Sequence, residues 1–145
     1  MTPSTLLLAI AAGAALAPAQ EPEPELRFAV LGHLRGDKTG AMHFMLDEIV
    51  DEVARAEPDL LFLTGDLVYG SINRKVDRAA VTRDWEDLDR ALARTGAEVF
   101  RTPGNHDISE LVTRDIWLER YGPPGQVVRR GRCLFVVLNT QALQV

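Results

Sequence analysis

Short apolar runs and longer amphipathic stretches take turns along this chain, and the order of that exchange sets the expected fold. Residues 26–31 (LRFAVL) make an apolar run of strand length, suited to a buried parallel strand. From 41 to 56, Met42, Met45, Leu46, Ile49, Val50 and Val53 recur at helical spacing, with Thr39 as a reasonable N-cap and Pro58 as the stop. Residues 59–64 (DLLFLT) read as a second strand, which completes a β-α-β unit with a right-handed crossover as the default. Val81, Trp85, Leu88 and Leu92 mark a second helix that Gly96 is placed to end. Residues 97–101 are the third strand, and a third helix, with a less regular stripe, runs from about Ser109 to Tyr121. Gly122-Pro123-Pro124-Gly125 closes it, and residues 127–129 and 133–138 pair as a hairpin across Arg130-Gly131-Arg132. The expected class is α/β with a mainly parallel sheet.

Composition narrows the classes. The 145 residues suffice for one domain and not comfortably for two. Hydrophobic content of 46% and charged content of 26% are ordinary for a soluble fold. A formal net charge of −5 argues against general nucleic-acid binding, which calls for a basic patch. The single cysteine, Cys133, rules out an intrachain disulfide framework, and its apolar neighbours suggest a buried small side chain rather than a nucleophile. Residues 1–19 read as a secretory signal peptide: the apolar run 6–17 is too short to span a bilayer, and Ala17-Pro18-Ala19 offers a cleavage point. Export to a secreted or periplasmic location is the expectation, with no transmembrane span in the mature chain. No lysine or arginine precedes the run, so an uncleaved anchor or a different start codon stay open as alternatives. Residues 20–25, acidic and proline-spaced, form a linker, and the domain proper occupies 26–145.

The candidate chemistry gathers where the strands end. Gly32-His33, Gly65-Asp66 and Gly104-Asn105-His106-Asp107 each follow a strand, and each has a glycine just before the group of interest. In open parallel sheets that edge is where ligands bind. A carboxylate beside an Asn-His pair, without thiolates, suits a divalent ion such as Mn, Fe or Zn. The plainer readings are a solvated loop or a helix cap for Asp66, and a turn in which Asp107 or Ser109 caps the next helix.

The pair Thr64-Gly65-Asp66 and Gly104-Asn105-His106-Asp107, each after a strand, resembles the calcineurin-like metallophosphoesterases over roughly residues 26–140. The resemblance implies a layered sheet flanked by helices and metal-dependent hydrolysis of phosphate mono- or diesters by a metal-activated water. Asp66 matches the metal-bridging carboxylate and Asn105 a ligand of the second metal. His106 matches the residue that contacts phosphate and protonates the leaving oxygen, and Asp107 would orient His106 or its loop. One or two divalent ions and a phosphate-ester substrate follow from the same comparison.

Two departures qualify this. Where the family carries Asp-x-His after its first strand, this chain has His33-Leu34-Arg35. His33 remains a candidate ligand; Arg35 cannot bind metal and is instead a candidate clamp for a phosphate oxygen or a stand-in for a missing cation. A surface arginine is its plain alternative. Asp37 is near enough in sequence to substitute as a ligand, and Tyr69 stands where some members have a further aspartate. The family's closing Gly-His-x-His is absent, and His43, on the first helix, reads as a surface residue. The chain therefore looks like the N-terminal part of such a domain, truncated at its C-terminus, with apolar sheet surface left bare. The second functional reading is a non-catalytic anion- or partner-binding module on a degenerate form of this fold. A third is coincidence of the three turns in an unrelated α/β domain. The oligomeric state is not legible.

Overall fold

A computed structural model describes residues 25–37, 42–70 and 76–141. The expected signal peptide, most of the linker and the Thr39 cap lie outside these residues. Strands β1 (Phe28–Leu31), β2 (Leu60–Leu63) and β3 (Glu98–Arg101) form a parallel sheet in the order β1-β2-β3. Phe28 stands beside Leu60, and Leu60 beside Glu98, so all three strands end level. Every residue of β2 is buried, as expected of a central strand covered on both faces.

The two faces are filled differently. Leu61 and Leu63 point to a helical layer made by α1 (Leu46–Arg55), α2 (Arg78–Leu92) and α4 (Leu111–Tyr121), where Val50, Trp85, Leu88, Ile116 and Trp117 are buried. Leu60, Phe62 and Phe100 point the other way, onto the antiparallel hairpin of β4 (Gln126–Arg130) and β5 (Cys133–Val137). Val128 is buried there, and Phe135 lies 4.8 Å from the Phe62 ring. Thr102 Oγ1 donates to the Leu138 carbonyl at 2.9 Å, which ties the hairpin to the end of β3.

Local chemistry accounts for the boundaries. Asp77 caps α2 by accepting from the N–H groups of Ala79 and Ala80. Gly96 ends it after a 3₁₀ turn, with φ 68°, as the sequence suggests. The first helix is shorter than its periodicity implies and begins at Leu46 rather than 41. Arg35 and Met42 form an isolated antiparallel bridge that holds Met42 out of the helix. His43 is therefore not on the helix: its Nδ1 accepts from Met45 N–H at 3.2 Å and its ring stacks on Phe44. Residues Asn105–Ile108, expected as a turn, form a separate short helix, α3. Cys133 is exposed, contrary to the apolar run around it, because it sits at the hairpin tip beside Gly131. Outward-facing Val127, Leu134, Val136 and Leu138 of the hairpin layer are 52% to 69% exposed.

Candidate active site

The three strand-end turns are laced together by the backbone. His33 N–H donates to the Gly65 carbonyl at 2.9 Å, and Arg35 N–H to the Asp66 carbonyl at 3.1 Å. Thr102 N–H reaches the Leu63 carbonyl at 2.9 Å, which joins the third turn to the second. Glycine makes this approach feasible: a Cβ on Gly104 would lie 2.3 Å from Asp66 Oδ1 and 2.4 Å from its backbone nitrogen. His33 (φ 58°) and Asp66 (φ 54°) are both held in the left-handed region. Such conformations cost about 1–3 kcal/mol each in a non-glycine residue and concentrate at functional sites.

Asp66 is the hub. Its Oδ2 lies 3.3 Å from His33 Nδ1 and 3.6 Å from Arg35 Nε, and its Oδ1 accepts from His106 N–H at 3.3 Å. That last contact meets an N–H at the start of α3, whose N-cap residue is Gly104, from across the chain. His106 is half-buried, and its Nδ1 faces the Tyr69 carbonyl at 2.7 Å. A carbonyl only accepts, so Nδ1 carries a hydrogen.

Asp107 is fully buried and its oxygens are committed to the backbone. Oδ1 accepts from Leu67 and Val68 N–H at 2.9 and 3.1 Å, and Oδ2 from Gly104 N–H at 2.7 Å. Burial pushes its carboxyl up to about 6, and Asp66 nearby adds to the rise, while the three N–H groups oppose it. Of the two tasks the resemblance implies for Asp107, the geometry shows the loop: it clamps the second turn to the third, while Tyr69 orients His106. The sequence marked Tyr69 only as standing where some members have an aspartate, and its contact with His106 was not legible because it runs through a backbone carbonyl that any residue carries.

A divalent cation at this edge has the Asp66 carboxylate, the His33 imidazole and the neighbouring Asn105 amide as donors of suitable chemistry. Among the described residues no group of three or more His, Cys, Asp or Glu could hold a metal ion. Arg35 supplies positive charge at the same carboxylate; its side chain is only 21% exposed and its Nε has no hydrogen-bond partner. It is not a plain surface arginine. Asp37 is exposed. A concavity of about 950 Å³ lies between α4 and the hairpin, lined by Leu111, Leu118, Val127 and Val136.

The family model for calcineurin-like phosphoesterases matches residues 39–141, a span that takes in Asp66, Asn105, His106 and Asp107. The chain belongs to the calcineurin-like phosphoesterase family. The matched span begins after β1, so the turn in which this phosphoesterase domain carries His33 and Arg35 lies outside it. The two turns that carry Asp66 and Asn105-His106-Asp107 are thus no coincidence of an unrelated fold. Among the described residues no helix is long and apolar enough to cross a membrane.

Proposed function

We propose that the Asp66 edge hydrolyses phosphate mono- or diesters with the help of a divalent cation. The observation that carries this reading is the convergence of three strand-end turns on Asp66, with His33 Nδ1 and His106 N–H both 3.3 Å from its oxygens. Asp66, His33 and Asn105 would hold the ion. When bound, it would polarise the phosphoryl group and lower the pKa of a water for attack. His106, fixed by Tyr69 through Nδ1, presents Nε2 to the ester; as the imidazolium, with hydrogens on both ring nitrogens, it gives the Nε2 proton to the departing oxygen and is left neutral with its hydrogen on Nδ1. Arg35 neutralises an equatorial phosphate oxygen, and Asp107 keeps the two turns in register. The signal-like residues 1–19 support export of this activity to a secreted or periplasmic location.

A chromogenic phosphodiester with added Mn tests the proposal. Replacing His106 by Ala is expected to lower kcat by about 100-fold or more, and Asp66→Asn to remove the dependence on Mn. Hydrolysis that survives both substitutions would place the chemistry elsewhere.

A second reading has its own observation. Arg35 Nε, buried and unpartnered beside Asp66, suits an edge that holds an anion without turning it over. In that case inorganic phosphate binds the wild-type chain without Mn, and Arg35→Met abolishes the binding. Mn-dependent hydrolysis would rule against it.

A further inference from the structure

We draw no further inference here: the strongest candidate, the apolar groove between α4 and the hairpin that Leu111, Leu118, Val127 and Val136 line, is an unpartnered face, and nothing in the structure shows what covers it.

Discussion

Asp107 shows how much one side chain can hold at this edge. It is an acceptor for three N–H groups on two different turns, and each of those donors would otherwise be buried without a partner. Asparagine keeps one acceptor oxygen and turns an N–H₂ toward Gly104 N–H, so Asp107→Asn should cost about 2–3 kcal/mol, read as a shift in the denaturant midpoint. A cost below about 0.5 kcal/mol, the range of ordinary surface changes, would mean the clamp is unimportant. Gly104→Ala should be at least as damaging, because its Cβ would meet the Asp66 backbone as well as its carboxylate. Asp84 gives the pH dependence. Burial pushes its carboxyl from 3.8 up to about 6, Asp87 adds to this and Arg83 opposes it. The folded chain then binds that proton more tightly than the unfolded chain, so stability falls as pH rises from about 4 to about 6. Asp84→Asn should stabilise the chain at pH 7 by about 1 kcal/mol, screening at a half-buried helix position having reduced the effect. At pH 4 the difference should nearly vanish. Equal differences at both pH values would contradict the assignment.

Elements with a strong period or clear punctuation were legible in the chain. The parallel strands, the Val81-Trp85-Leu88-Leu92 stripe and the Gly96 stop all follow from local pattern, and so do the glycines before Asp66 and Asn105. What escaped depends on contacts between distant segments. The bridge from Arg35 to Met42 delays α1 and takes His43 off the helix, and no local propensity encodes it. Tyr69 acts through its carbonyl, and Asp89 gathers Arg101, Arg120 and Tyr121 from two other elements. Cys133 misled because apolar neighbours say nothing about where a hairpin tip lies. The hairpin layer itself rests on aromatic packing: Phe135 meets Phe62 at 4.8 Å and Phe28 at 5.3 Å. Phe135→Ala should cost about 2–3 kcal/mol, below the range for a fully buried ring because Phe135 is half-exposed. Proteolysis within residues 126–137 should accelerate in parallel; an unchanged cleavage rate would show that the hairpin is held by something else.

At the scale of the molecule, one face is well covered and the other is not. The helices bury their side of the sheet, whereas the outer surface of the hairpin presents Val127 and Val136, which are paired across the strands and 65% and 56% exposed. Apolar surface of this kind favours self-association. Val127→Glu with Val136→Lys puts opposite charges on neighbouring positions, so the hairpin should keep its pairing. The double variant should remain monomeric at concentrations where the wild-type chain associates, as followed by sedimentation velocity. Association unaffected by it would locate the contact elsewhere. The catalytic account makes a further demand of the whole molecule, since strands separated by up to 70 residues must bring their ends to one carboxylate. The most direct test is to count bound Mn by electron paramagnetic resonance in the wild-type chain and in Asp66→Asn. One ion per chain in the wild type, lost in the variant, is the predicted result. An ion retained by Asp66→Asn, or none bound by the wild type, would contradict a cation-dependent site at Asp66.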